Sequence, residues 1–377
     1  MAQRTRILLL LSHLGGGGAE HVVALLARGL SQQKYEVHLG LIGQGDARGA
    51  TIPAWVTLHA LGARRARAGA PPLLRLVWRL RPAVVLTGAA EVSFLVLLLR
   101  PLFPPKTSVL VRQNATVTSV LAFGRLPGFM RLLYRLLYRS SDHVICQSGA
   151  MAKDLAQALG IEDQQIAVLP NPVDFAGIRA AAHKPAMQSG VGPQLLAVGR
   201  LSREKGFDLL LNALVAVRER FPEAHLILAG AGPAEAALKA LCRELRLERA
   251  VCFAGHVDQP YQYFESTTLF VLPSRHEGMP NALLEAAAAG LPLAAMPASG
   301  GVVDLLRDRP GAWVATELTA DALAVTIITA LETVRPGQRF SHSFFAAQPE
   351  LRSMNLLSEL PKPPRDNFSI RSDANHG

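Results

Sequence analysis

The sequence predicts an α/β protein of two Rossmann-like domains facing each other across a cleft. Short apolar runs alternate with helical periodicity along most of the chain. The alternation occurs in two series, separated by an Ala-, Gly- and Pro-rich stretch at Val173–Pro193. A chain of 377 residues is long enough for two such domains. The expected boundaries are 1–170 and 171–335, followed by an irregular segment, 336–377.

The first series opens with strand Ile7–Leu11, an unbroken apolar run of the kind buried on both faces of a parallel sheet. Helix Ala19–Leu30 and strands Glu36–Ile42, Ala83–Leu86, Val109–Val111 and His143–Cys146 follow. Helix Met151–Leu159 and strand Ile166–Leu169 complete it. The second series runs through strand Leu195–Val198, helix Phe207–Arg220, strand His225–Ala229 and helix Ala234–Leu245 to strands Val251–Phe253 and Leu269–Leu272. A helix then begins after a tight turn and ends at Gly290 and Pro292. Pro336–Gly377 shows neither period, carries five prolines and ends in polar residues, so it is expected to be poorly ordered.

Half of the residues are apolar and 18% are charged, a balance that supports buried cores and excludes overall disorder. Cys146, Cys242 and Cys252 are isolated, which argues against zinc or a disulfide framework and for a reducing compartment. No apolar run reaches the roughly 18 residues of a spanning helix. The apolar core at 7–11 is too short for a signal peptide and runs into glycines rather than a cleavage site.

Charge is one-sided. Met1–Pro185 holds 21 Lys and Arg against 9 Asp and Glu, and the remainder holds 18 against 20. Between Asp46 and Asp142 the only acid is Glu91, while Arg64, Arg65, Arg67, Arg75, Arg79 and Arg81 cluster there. Such a field attracts anionic surfaces, nucleic acid or lipid; a G- and C-rich genome also enriches arginine. Nucleic acid is disfavoured, since no interleaved aromatics or known module accompany the basic residues. In the helix of 125–139, Arg131, Arg135 and Arg139 recur every four residues beside Leu132, Leu133, Leu136 and Leu137. With Tyr134 and Tyr138 at headgroup level, this fits a helix lying in an anionic membrane surface. The same pattern fits a core-facing helix with its arginines in water.

The chemistry concentrates in loops at strand ends. Glu277-Gly-Met-Pro-Asn-Ala-Leu-Leu-Glu285 sets two carboxylates eight positions apart across a turn and a helix start. Ligands bind at such turns in open α/β sheets, and a carboxylate there suits sugar or ribose hydroxyls rather than phosphate. Arg200 and Lys205 follow strand Leu195–Val198, just ahead of a helix, where paired cations call for an anion such as a diphosphate. Gly15–Gly18 open a helix after the first strand, where backbone approaches a ligand closely. Glu20, one turn in, fits equally well as an acid favoured by the helix dipole. The Gly230–Pro233 turn either lines a base pocket or is a plain turn.

Four segments in this order resemble the retaining, GT-B fold glycosyltransferases of family 4. They are Gly15-Gly-Gly-Gly-Ala-Glu-His-Val-Val23, Leu169-Pro-Asn-Pro-Val-Asp174, Val198-Gly-Arg-Leu-Ser-Arg-Glu-Lys-Gly-Phe207 and Glu277–Glu285. The resemblance covers about residues 6–331 and makes the first domain the acceptor side and the second the nucleotide-sugar side. It implies that Arg200 and Lys205 hold the donor diphosphate and that Glu277 faces the donor sugar, these three forming the catalytic set. Glu285 would face the ribose. Gly16, Gly17, Gly199, Gly278, Met279 and Asn281 would meet the donor through backbone groups. Many relatives carry a histidine after the strand equivalent to Val109–Val111; here the run is Arg112-Gln-Asn-Ala-Thr116. Arg112, Asn114 or His13 is the candidate on the acceptor and sugar side, and neither Arg112 nor Asn114 is a useful base near neutral pH. No D-x-D triplet occurs, so no cofactor is expected and the enzyme is expected to be metal-independent.

The expected function is transfer of a sugar from a nucleotide diphosphate, a UDP-sugar, to a lipid-linked or cell-envelope saccharide. The expected place is cytoplasmic, on the inner face of the cell membrane. An epimerase or phosphorylase on the same plan, or a catalytically impaired partner subunit, are the alternatives.

Overall fold

The computed structural model describes residues 4–15, 18–43, 52–63, 66–118, 120, 128–181, 192–257, 259–298, 301–335 and 337–342. Gly16, Gly17 and the segment 343–377 lie outside them.

Two sheets organise the chain, and every described strand pair is parallel. The first takes β1 (Thr5–Leu11), β2 (Tyr35–Gly43), β3 (Thr57–Ala63), β4 (Val84–Thr87), β5 (Ser108–Arg112), β6 (His143–Cys146) and β7 (Ile166–Val168) in the order β3-β2-β1-β4-β5-β6-β7. The second takes β8 (Gln194–Val198), β9 (His225–Ala229), β10 (Val251–Gly255), β11 (Leu269–Leu272), β12 (Leu293–Ala295) and β13 (Ala312–Val314) in the order β10-β9-β8-β11-β12-β13. In each, the chain leaves a central strand in one direction and returns to its other side. That reversal opens a crevice beyond the carboxyl ends of β1 and β4, and of β8 and β11.

Helices cover both faces, which explains why Ile7–Leu11 of β1 and all of β11 are apolar and buried: helices lie above and below them. Helices α1 (Gly18–Gly29), α2 (Ala70–Leu80), α3 (Ala90–Leu99), α4 (Gly128–Arg139) and α5 (Gly149–Leu159) serve the first sheet. Helices α6 (Phe175–Ala181), α7 (Phe207–Arg220), α8 (Glu235–Glu244), α9 (Asn281–Ala288), α10 (Val302–Leu306) and α11 (Ala320–Thr333) belong to the second half. The supposed connection at Val173–Pro193 therefore contains a helix. Ile178 and Ala181 of α6 are buried in the core that holds Leu283 and Leu284 of α9. The four buried apolar clusters each draw on one half of the chain only.

Two further expectations change. Residues 337–342 form no helix or strand, yet they are fastened to the second half. Phe340 N–H donates to the Gly290 carbonyl at 2.8 Å, Arg339 donates to the carbonyls of Phe264 and Glu265, and His342 is buried. The tyrosines of α4 are not at a surface. Tyr134 and Tyr138 are 2% and 0% exposed, stack at 4.3 Å, and donate their hydroxyls to Gln113 Oε1 at 3.0 and 2.9 Å. A buried phenol needs such a partner, and Gln113 supplies it to both. Burial pushes both phenol pKa values up. The solvent stripe of α4 is instead Leu132, Arg135, Leu136 and Arg139. The Arg131 side chain lies outside the described residues.

Tyr134→Ala or Tyr138→Ala is expected to cost about 3–5 kcal/mol of unfolding free energy, the range for a large side chain lost from a core. Leu132→Ala should stay within about 0.5 kcal/mol. Urea midpoints at constant m-value check both, and a neutral Tyr138→Ala would return this face to the surface.

Candidate functional site

Neighbouring strands β8 and β11 send their following loops to the same place, and four contacts stitch those loops together. Arg275 N–H donates to the Glu204 carbonyl at 2.9 Å. The Arg275 guanidinium donates to the Arg203 carbonyl at 3.0 Å and grips Asp208 with two bonds of 2.7 Å. Gly206 has φ +66°, and a Cβ there would sit 2.0 Å from the Pro273 carbonyl oxygen, so no other residue lets the loops close this tightly. The fourth contact is the chemical one. Lys205 Nζ donates to both carboxylate oxygens of Glu277, at 2.8 and 2.9 Å, and Ser274 Oγ donates to Oε1 at 2.6 Å. The Glu277 side chain is 7% exposed, so its charge is matched by two donors inside the crevice rather than by water.

The other candidates are distributed around that pair. Arg200 is 70% exposed and bonds Glu204 Oε1 at 2.9 Å, which also accepts from Ser202 at 2.6 Å. Gly199 heads this loop, and the 230–234 turn supports it through Leu201 N–H donating to the Ala231 carbonyl and Ala234 N–H to that of Leu201, both near 3 Å. Glu285, on α9, is 8% exposed. Its carboxyl pKa is pushed up to about 8, chiefly by burial and also by the charge of Asp174, against a hydrogen bond from Tyr261 that lowers it.

Across the crevice stands a wall from the first half. Gly278 meets it so closely that a Cβ would lie 2.1 Å from the Asn114 carbonyl oxygen. Asn281 Nδ2 donates to the Gly18 carbonyl at 3.0 Å, and Asn171 Nδ2 donates to Asn281 Oδ1 and to the Met279 carbonyl. Asn171 Oδ1 in turn accepts from Arg112, whose other arm donates to Asn114 Oδ1 at 2.8 Å. Arg112 is 3% exposed and held by two amide oxygens, with no carboxylate among these partners; burial lowers its pKa to about 10. His13 stays outside this network: its Nδ1 accepts from Gly15 N–H at 3.0 Å, and its side chain is half exposed.

The structure adds three residues that the sequence did not suggest. Gln147, 2% exposed, donates to Asn114 Oδ1 at 3.0 Å and leaves Oε1 without a hydrogen-bond partner among the described residues, beside Gly278. His21, on α1, places Nε2 3.5 Å from Glu285 Oε1, and burial lowers its pKa. Tyr261 bonds Glu285. Only His21 carried a legible signal, through its place in the glycine segment. No group of three or more His, Cys, Asp or Glu positioned for a metal occurs among the described residues.

Two outcomes follow. Lys205→Met leaves the Glu277 carboxylate buried with Ser274 alone and should cost about 3 kcal/mol, whereas Lys205→Met/Glu277→Gln costs less than the sum of the single changes. Additive losses in urea would mean the pair is uncoupled. Because burial raises the Glu285 pKa, the folded chain binds that proton more tightly than the unfolded one. Stability therefore falls as pH rises from the ordinary carboxylate range to about 8. Glu285→Gln should raise Tm relative to the parent at about pH 9 and leave it unchanged at about pH 4.

Comparison with known proteins identifies the family of both halves. Residues 16–176 match the family described as glycosyltransferase family 4, and residues 183–342 that described as glycosyl transferases group 1. A glycosyltransferase of Haemophilus influenzae, itself uncharacterized, is 36% identical over 115 residues, 30% of this chain but only 33% of that protein. The N-acetylgalactosamine-N,N'-diacetylbacillosaminyl-diphospho-undecaprenol 4-alpha-N-acetylgalactosaminyltransferase of Campylobacter jejuni is 28% identical over 309 residues, 78% of this chain and 81% of that enzyme. The crystal structure of Anabaena HepE in complex with UDP superposes with TM-score 0.75 at 16% identity, covering 94% of this chain and 98% of that one. With both halves matched and the two-sheet architecture shared, the chain belongs to the family 4, group 1 glycosyltransferases and is a hexosyltransferase-type enzyme of the GT-B fold.

Proposed function

We propose that this chain transfers a hexose from a UDP-sugar to a lipid-linked or cell-envelope saccharide at the inner face of the cell membrane, with retention and without a metal ion. The observation that carries the reading is the Lys205–Glu277 pair, set where β8 and β11 diverge and faced by the Arg112–Asn114–Gln147 wall. The Campylobacter relative supports the acceptor class, since its name specifies a saccharide on diphospho-undecaprenol. The UDP held by HepE supports the donor class.

In this reading Lys205 and Arg200 neutralise the charge that builds on the diphosphate as the bond to the anomeric carbon breaks. Arg200 exchanges Glu204 for phosphate oxygens, and its exposure leaves it free to turn. These cations and the start of α9 do the work that a metal ion does elsewhere. Glu277, held in place by Ser274 and Lys205, accepts hydrogen bonds from the donor sugar. Glu285 meets the ribose hydroxyls, and backbone groups of Gly16, Gly17, Gly199, Gly278, Met279 and Asn281 complete the donor site. The acceptor oxygen bonds to the anomeric carbon on the face the diphosphate leaves, and its proton passes to the departing phosphate oxygen. Arg112 and Asn114 position these groups but take no proton.

Proton NMR of the product should show the donor's anomeric configuration, and EDTA should leave the rate unchanged. Lys205→Ala or Glu277→Ala should each lower kcat about 10²- to 10³-fold, the effect of removing one preorganised charge-stabilising group. UDP at about 100 times its Kd should stabilise the fold by about 2.7 kcal/mol. An inverted product, or a rate abolished by EDTA and restored by Mg²⁺, would sink the mechanism.

A further inference from the structure

A guanidinium has donors only, and two rows of amides start from that of Arg112. One row ends satisfied. Arg112 donates to Asn171 Oδ1, Asn171 Nδ2 donates to Asn281 Oδ1, and Asn281 Nδ2 donates to the Gly18 carbonyl at 3.0 Å. The other row does not. Arg112 donates to Asn114 Oδ1 at 2.8 Å, while Asn114 Nδ2 donates to the Gly88 carbonyl at 2.6 Å. Both ends of the Asn114 amide are thereby fixed, its oxygen toward a guanidinium and its nitrogen toward a carbonyl. Gln147 meets that same oxygen, so it must present its own NH2, which donates at 3.0 Å. Its Oε1 is turned the other way and has no hydrogen-bond partner among the described residues. Gln147 is 2% exposed, and a buried acceptor without a donor costs free energy.

The direction of that oxygen gives it meaning. Gln147 follows β6 at the carboxyl edge of the first sheet, and its Oε1 looks across the crevice. A Cβ on Gly278 would lie 3.0 Å from it and 2.1 Å from the Asn114 carbonyl oxygen. Acceptors from both halves therefore border Gly278: two oxygens on the far side and, one residue back along its own loop, the Glu277 carboxylate. A phosphate there would meet only like partial charge, and an apolar group would leave Oε1 unpaired. A hydroxyl brings the donor that is missing.

We infer that Gln147 Oε1 accepts a hydrogen bond from a hydroxyl of the transferred hexose, which makes Gln147 a residue that selects the hexose. This deepens the donor reading given above and rests on it, because Glu277 is there the contact to the same sugar. The ribose hydroxyls are assigned elsewhere, to Glu285 on α9, which faces His21. A hexose reaches the oxygen by parting Gly278 from it, at a seam held by hydrogen bonds that water can replace. An amide whose orientation is set by a buried guanidinium cannot turn round to become a donor. It therefore rejects a sugar that lacks the hydroxyl or offers only an acceptor in its place.

Calorimetric Kd values of the full-length chain for UDP, UDP-glucose, UDP-galactose, UDP-N-acetylglucosamine and UDP-N-acetylgalactosamine test this. Gln147→Met, close in volume but without the acceptor, should bind UDP as the parent does. It should bind the parent's preferred UDP-hexose about tenfold more weakly. Deoxyfluoro analogues of that donor each replace one hexose hydroxyl by fluorine, which cannot donate. One of them should lose about tenfold on the parent and nothing further on Gln147→Met, the signature of a direct pair. Gln147→Asn keeps an amide but draws its oxygen back by one bond; it should show the same pattern and carries the test if the Met variant does not fold. Three results overturn the proposal: equal losses of every analogue on parent and variants, parent-like binding of the UDP-hexose by both variants, or a loss for UDP as large as for the UDP-hexose. In each of these a parent that still binds UDP-hexoses leaves the proposed function standing. A parent that binds neither UDP nor any UDP-hexose refutes both.

Discussion

The adjacency of β8 and β11 is the constraint on which the rest of the site depends. Two loops that start from neighbouring parallel strands, and whose Lys205 and Glu277 are 72 residues apart in sequence, emerge side by side, and their backbones must then be kept from drifting apart. Gly206 lets them touch, Arg275 bonds three groups of the other loop, and Lys205 reaches Glu277 only because both fastenings are in place. The electrostatics follow from the geometry. A carboxylate 7% exposed is costly alone, and its two donors make it tolerable while holding it at one position. In the proposed reaction a donor entering the crevice would meet a cation and an anion already oriented, so little reorganisation would accompany charge development.

The two halves meet by a different rule. No described apolar cluster spans them, and the crossing contacts include amides, a buried guanidinium, a backbone carbonyl and the ion pair of Arg28 with Asp174 at 3.3 Å. Polar interfaces of this kind are cheaper to open than apolar ones, because water replaces each hydrogen bond. Gly278 against the Asn114 carbonyl and Gly301 against Ser148 are two places where the halves come close. Where Glu285 and His21 face each other at 3.5 Å, burial disfavours charge on both. Ribose hydroxyls, which donate and accept, would satisfy that pair better than either residue satisfies the other.

Much of this was legible in the sequence for a physical reason: strand, turn and helix are local, and so are the acids and bases that the turns carry. The runs at Leu195–Val198 and Leu269–Leu272, and the cations and carboxylates just beyond them, needed no long-range information. The weak elements were lost where local pattern is thin. β3 alternates without a buried face until Ala63, and β12 and β13 are three residues each. The network across the crevice was legible only in pieces: Asn114 and Asn281 were candidates and Asn171 lies in the Leu169–Asp174 segment, but Gln147 is a neutral amide without a characteristic spacing, and the bonds of the network join positions as much as 263 residues apart. The tyrosines of α4 show a third limit. Periodicity finds the stripe that Tyr134 and Tyr138 share, but a phenol suits a membrane boundary and a core with one acceptor equally well. Only Gln113 decides between them.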